Sequence, residues 1–351
     1  MKKILHIVGA RPQFMKLAPL YQEIKNRKID QSILHTGQHF DYKMSSIFFN
    51  ELDIPEPDYN LNINSLSHGS MTGRMIEQIE NILLEIDYDY VIVYGDTNST
   101  LAGAIAAKKL GIKVVHIEAG VRNNDAFMPE EINRVLTDRI SDILLCATEN
   151  SYNNLIKEGY LNFNCEIKCV GDIMLDCIEV FKDKIKEPIN SDYVLVTCHR
   201  ESNTTLNKIS NIISALNKIN TNQTVLFSVH PRTRKIIDKC KIKPEFECID
   251  PVGYFDFLGL LKNCKYLITD SGGAVREAYF FKKPSLLLLE DPLWPELVEA
   301  KVCINCNTDK NKILESFLLL EKLNCDFKSG IFGDGNSRSL IVNSIFNYDN
   351  R

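Results

Sequence analysis

Short apolar runs that stop at polar turns, each followed by a helical pattern, recur along the chain and constrain its fold more than any other feature. Residues 3–9, KILHIVG, are a nearly continuous apolar run, as expected of a strand buried on both faces. Pro12 follows where its fixed φ and missing N–H suit a first helical turn. Further strands are expected at 33–36, 90–94, 113–118, 143–147 and 166–170, with helical segments around 41–52, 71–86 and 101–110. Residues 183–192, DKIKEPINSD, are polar, hold a proline and lack periodicity, as a linker does. The pattern then restarts, with strands at 193–197, 224–229, 246–250, 266–269 and 285–289. Alternation at this spacing predicts an α/β protein with two doubly wound parallel-sheet (Rossmann-like) domains, 1–182 and 193–332, facing a cleft. A last amphipathic helix within 333–351 is expected to pack back on the first domain.

Composition narrows the partner. A chain of 351 residues exceeds one typical core and suits two domains of about 150 residues each. The formal charge of -5, with 25% charged residues, shows no basic excess, which argues against nucleic-acid and anionic-membrane surfaces and for a small-molecule partner. No apolar run has bilayer length and no cleavage pattern follows the first one, so a cytoplasmic protein is expected. The eleven cysteines all lie after residue 145, mostly singly in apolar segments, which suits reduced core thiols. Cys303-x-x-Cys306 has half-zinc-site spacing, but no second pair or histidine stands near it in sequence.

The polar turns carry the chemistry. The stretch 116–138, HIEAGVRNNDAFMPEEINRVLTD, brings Glu118 to a strand tip and places Glu130, Arg134 and Asp138 in one row of the following helix, with Ile132, Val135 and Leu136 facing elsewhere. An exposed ion-pair row is the plain alternative. Arg11 and Lys16 flank the turn at Pro12, where a helix N-terminus and two cations make an anion cradle. In Gly95-Asp96-Thr97 the glycine permits a tight turn, and Asp96 is placed to cap the next helix. The second half ends its strands in Cys198-His199-Arg200-Glu201, His230-Pro231-Arg232 and Asp270-Ser271-Gly272-Gly273. Glycines directly after a strand let backbone N–H groups approach a phosphate, although DSGG is also a good helix cap.

Taken in series, GARPQFMK, TGQHFD, YGDTNST, HIEAGVR, MPEEINR, CHRES, DSGGAVREA and the closing GDG resemble the non-hydrolysing UDP-N-acetylglucosamine 2-epimerases over nearly the whole chain. The resemblance implies a glycosyltransferase-B type fold, a homodimer and an isomerase that needs neither cofactor nor metal. It implies that UDP leaves C1 of a UDP-amino sugar while the C2 proton is removed, and that UDP then adds back with C2 inverted. Asp96, Glu118 and Glu130 match the acid/base positions, Arg134 is expected to hold Glu130 or the sugar, and Asp138 to serve structure alone. His199 and Arg11 are assigned to the leaving diphosphate with Lys16 beside them, Ser271, Gly272 and Gly273 to phosphate, and Glu277 to the ribose. Gln38, His39 and Arg74 match a regulatory second-substrate site, although Asp41 departs from the pattern there.

Other departures bear on the sugar. Members acting on UDP-N-acetylglucosamine usually read GTRPE where this chain has GARPQ, so Gln13 replaces a carboxylate. The acidic motif, the segment DPLWPE at 291–296 and the lack of an arginine at 288–291 look more like the branch acting on modified sugars, such as diacetamido-uronic acid or 6-deoxy-L-hexosamine nucleotides. Residues 123–128 are where the sugar's identity is expected to be read. The helices at 41–52 and 71–86 are candidates for the dimer surface. A glycosyltransferase of the same fold and a catalytically silent nucleotide-sugar sensor are the competing functions.

Overall fold

A computed structural model describes residues 2–39, 46–123, 125–186, 192–241, 243–327 and 330–348. Asp41, Asn124 and residues 187–191 of the expected linker lie outside them. The chain forms two compact units, Met1–Phe181 with Ile331–Arg351 and Lys182–Gly330.

The first unit contains β1 (Lys3–Val8), α1 (Arg11–Asn26), β2 (Asp30–His35), α2 (Ser46–Glu51), β3 (Tyr59–Asn60), α3 (His68–Glu85), β4 (Tyr90–Tyr94), α4 (Asn98–Lys109), β5 (Lys113–Ile117), α5 (Pro129–Ile140), β6 (Ile143–Cys146), α6 (Glu149–Lys157), β7 (Glu166–Cys169) and α7 (Ile173–Val180). Its sheet runs β3-β2-β1-β4-β5-β6-β7, and every described pairing is parallel. The chain therefore winds one way from β1 to β3 and the other way from β4 to β7, and right-handed crossovers put helices on both faces. Accordingly α1 packs with α7, while α4 packs between α3 and α5. The small residues of α4 let it lie close on the sheet. A side chain at Gly103 would bring Cβ within 2.8 Å of Ile7 Cδ1.

The second unit contains β8 (Val194–Thr197), α8 (Leu206–Asn220), β9 (Val225–Ser228), α9 (Pro231–Ile237), β10 (Glu247–Ile249), α10 (Tyr254–Asn263), β11 (Tyr266–Thr269), α11 (Gly272–Phe280), β12 (Ser285–Leu288), α12 (Pro295–Glu299), β13 (Cys303–Cys306) and α13 (Lys310–Leu320). Its parallel sheet runs β10-β9-β8-β11-β12-β13. The edge strand β13 was not foreseen, and it explains the Cys303-x-x-Cys306 spacing. Strand side chains alternate, so residues three apart point to opposite faces and cannot chelate one ion together.

The final helix, α14 (Ser337–Tyr348), belongs to the first unit and packs on α1 and α7. Arg27 donates to Asn343 Oδ1 at 2.6 Å and Ser339 Oγ at 2.9 Å, and Asp176 accepts from the backbone N–H groups of Ser337 and Arg338.

Candidate active site

In doubly wound sheets ligands bind beyond the carboxyl ends of strands, where the winding reverses. In the first unit that point lies between β1 and β4, and the turns following both strands carry candidate residues. Gly95 adopts φ +63°, which turns the chain sharply after β4. Thr97, not Asp96, caps α4, its hydroxyl accepting from Thr100 N. This corrects the capping role expected of Asp96 and leaves its carboxylate to accept from the Arg134 guanidinium instead. Glu118 follows β5 with φ +74°, an uncommon conformation for a residue with a side chain and one that clusters at functional sites. Its Oε2 lies 2.8 Å from Lys16 Nζ. Lys16, expected on the diphosphate, is thus buried against a carboxylate, and Gly95 sits beside both groups.

Helix α5 is built inside out. It buries Glu131, Asn133, Arg134, Thr137 and Asp138 and exposes Ile132, Val135 and Leu136. Arg134 forks between Asp96 and Glu131, whose carboxylate also meets Asn123 N at 3.2 Å. The expected Glu130 partnership is therefore corrected: Glu130 is exposed in the first helical turn, and Glu131, three residues before Arg134, takes the bond. Burial acts to lower the Arg134 pKa, but Asp96 and then Glu131 outweigh it, so the guanidinium stays charged. Asn133 adds a bond from Nδ2 to Asp96 O at 2.9 Å. The neighbouring Asp138 binds His116, Gly120 N and Arg122.

Gln13 is a structural tie within the first unit. Its Oε1 accepts from Gly9 N and Ala10 N at 2.7 and 2.9 Å, and its Nε2 reaches Tyr94 O, Thr97 Oγ1 and Thr100 Oγ1. The amide sews the turn after β1 to the turn after β4. Arg11 N donates to His39 Nδ1, and the Arg11 guanidinium stacks 5.0 Å from the Phe48 ring centroid. Burial, then the Arg11 charge, lowers the pKa of His39. Gln38 Oε1 accepts from Ser99 N and Oγ, so both residues of the expected regulatory turn are tied into the first unit. Arg74 instead lines a surface pocket of about 470 Å³ with Leu61, Asn62, Ile63, Asn64 and Glu77. Its described walls include none of Asp96, Glu118 or Glu130.

The second unit repeats the logic at its own reversal, between β8 and β11. Asp270, fully buried after β11, accepts from His199 N and Arg200 N at 3.0 and 2.9 Å, from Asn203 Nδ2 at 3.3 Å and from the Cys198 thiol at 3.3 Å. This one carboxylate fixes the loop after β8. His199 Nδ1 lies 3.4 Å from Asp270 while its side chain remains 45% exposed. Burial, then the neighbouring His199 and Arg232 charges, depresses the pKa of His230. Ser271 caps α11, accepting from Ala274 N at 3.2 Å, and Gly272 and Gly273 open the helix. Trp294 Nε1 donates to Gly272 O at 3.0 Å, and a Cβ on Gly272 would meet Leu293 at 2.9 Å. The DPLWPE segment therefore packs directly on the glycine turn. Glu277 is buried on α11.

Sequence reasoning missed Asp270, Glu131 and Gln13 as organisers. Asp270 alone left a signal, an acidic residue immediately after a strand at a winding reversal.

Two parallel-sheet α/β units with polar side chains gathered at their strand ends define a protein of the glycosyltransferase-B type. The model of the UDP-N-acetylglucosamine 2-epimerase family matches residues 22–346. The chain belongs to that family. It is 47% identical to a UDP-N-acetylglucosamine 2-epimerase homolog of Methanococcus maripaludis over 98% of this chain and 99% of that one. It is 42% identical to the UDP-2,3-diacetamido-2,3-dideoxy-D-glucuronate 2-epimerase of Pseudomonas aeruginosa over 97% and 98%. The crystal structure of Methanocaldococcus jannaschii UDP-GlcNAc 2-epimerase in complex with UDP-GlcNAc and UDP is similar, with a TM-score of 0.86 at 38% identity, covering 98% of this chain and 99% of that one.

Proposed function

We propose that this chain is a non-hydrolysing, cytoplasmic C2 epimerase of a UDP-N-acetyl-amino sugar. The observation that carries the proposal is the pair of ion-held carboxylates at the ends of adjacent strands, Asp96 on Arg134 and Glu118 on Lys16. A sugar C2 proton is not acidic until the C1–O bond is breaking, so the site must support a departing diphosphate and proton transfer together. UDP leaves with the C1–O electron pair, a carboxylate takes the C2 proton, and C1=C2 forms. Inversion requires a proton returned from the opposite face and therefore more than one acid/base group. Asp96, Glu118 and Glu130 serve jointly in these roles. Ser271, Gly272 and Gly273 hold phosphate through the hydroxyl and the opening N–H groups of α11, His199 and Arg11 neutralise the diphosphate, and Glu277 accepts from the ribose. Arg134 and Lys16 set the placement and charge of the carboxylates.

The enzyme acts as a homodimer, a reading supported by α5, which turns its apolar residues outward, and by exposed Leu84 on α3. The test is NMR in D2O with UDP-N-acetylglucosamine and, separately, with UDP-diacetamido-glucuronate. Deuterium at C2 with a UDP-linked epimer supports the proposal and identifies the sugar. Free sugar plus UDP, or no exchange on these two compounds and on a UDP-6-deoxy-L-hexosamine as well, refutes it.

A further inference from the structure

His116 on β5 and Asp138 on α5 are both fully shielded from solvent and meet through Nδ1 and Oδ1 at 2.7 Å. The other ring nitrogen, Nε2, lies 2.7 Å from the carbonyl oxygen of Gly95. A carbonyl oxygen only accepts, so Nε2 donates. The second oxygen of Asp138 takes Gly120 N at 3.1 Å and the Arg122 guanidinium at 2.7 Å. Burial alone would raise this carboxyl's pKa, but His116 and Arg122 outweigh it and hold it below the usual range. An ionised Asp138 is an acceptor as well, so both ring nitrogens of His116 face acceptor oxygens.

Each of these bonds ends on an active-site element. Gly95 precedes Asp96, Gly120 follows Glu118 by two residues, and Arg122 begins the loop leading to α5. Asp138 stands one helical turn beyond Arg134, which holds the Asp96 side chain. A buried ion pair is a poor source of stability compared with apolar packing of the same volume. It is, however, directional.

We infer that His116 and Asp138 are a positioning pair that locks the turn at 95–96, the turn at 118–120 and α5 into one geometry, fixing the acid/base carboxylates relative to each other. The inference rests on the acid/base role proposed above for Asp96 and Glu118. Around the pair stand Arg122 from the loop after β5, Glu158 beyond Arg122 at the end of α6, Cys146 on β6 and Tyr160. Burial and then the charge of Asp138 push the Cys146 thiol and Tyr160 phenol upward in pKa. Asp138 is thus the only carboxylate directly paired with the ring among the described residues.

The test is Asp138→Asn, which offers one acceptor and one donor where two acceptors stood. Misplacing a reacting group by about 1 Å costs on the order of 100-fold, so kcat for C2 exchange should fall by about that factor with KM and UDP affinity little changed. A kcat near wild type, or losses of kcat, UDP affinity and Tm in step, overturns the inference. Proton NMR of the unliganded wild type reads the pair without turnover: a slowly exchanging His116 ring N–H hydrogen-bonded to Gly95 O is expected, and a freely exchanging one overturns it. Should the wild type epimerise no UDP-amino sugar, the functional proposal fails on its own account. Amide exchange then decides the positioning, since Gly95 and Gly120 must exchange faster in Asp138→Asn, and unchanged exchange refutes it.

Discussion

Replacing Arg134 with methionine keeps most of the side-chain stem but removes the charge that Asp96 and Glu131 share. Breaking a buried ion pair from one side typically costs about 3–5 kcal/mol, because a charge is left unpaired. The two carboxylates differ in how far they can recover. The Asp96 side chain is 28% exposed and can rehydrate, whereas that of Glu131 is 7% exposed and cannot. The loss should thus sit near the lower end, about 3 kcal/mol, and come mainly from Glu131. For a unit of this size that is a Tm decrease of about 6–12 °C. Arg134→Lys should fall between, because an ammonium is a point charge and cannot fork to two carboxylates. Calorimetric unfolding measures these differences, with Glu131→Gln/Arg134→Met as the control. The double variant must be more stable than Arg134→Met alone. If it is not, or if the single variant stays within about 1 kcal/mol of wild type, Glu131 is not the buried partner the fork describes.

Three further outcomes follow from the geometry. His6 is fully buried, hydrogen-bonded to Tyr94 and Gln31, and its pKa is lowered to about 4, mainly by burial. The unfolded chain then binds the extra proton between about pH 6.5 and 4, so stability should fall with falling pH there by about 1.4 kcal/mol per unit; His6→Gln should flatten that slope, and equal slopes refute it. Gly9→Ala would put Cβ 2.0 Å from Thr36 Oγ1 and 2.3 Å from Ser99 Oγ, so a loss of about 1–3 kcal/mol is expected in thermal unfolding, and a wild-type Tm refutes it. Leu136→Glu on the outward face of α5 should convert dimers to monomers in sedimentation velocity, and a wild type that is already monomeric removes the dimer proposal.

The strands that flank the two winding reversals were legible in the sequence because each is mainly apolar and stops at a polar or glycine turn. Two of the short edge strands were not: β3 is two residues long, and β13 carries cysteines and an asparagine rather than a β-branched run. Within the site, the strand-end residues Asp96 and Glu118 could be placed from local pattern, since a strand's end fixes where the next side chain stands. The partners on α5 could not. Helical spacing says only which residues share a face, and the usual rule that the apolar face turns inward fails here, because α5 lies over strand ends that need cations and amide donors. Once Asp96 and the turn at Gly120 demand charged partners, Arg134 and Asp138 are drawn in and Ile132, Val135 and Leu136 are forced out. Glu131 rather than Glu130 then meets Arg134, because position three before the arginine lies on the buried side while position four, at the first turn, lies in solvent. The chemistry of the sheet edge therefore chose the helix face, and it also left the exposed apolar stripe that a second subunit is proposed to cover.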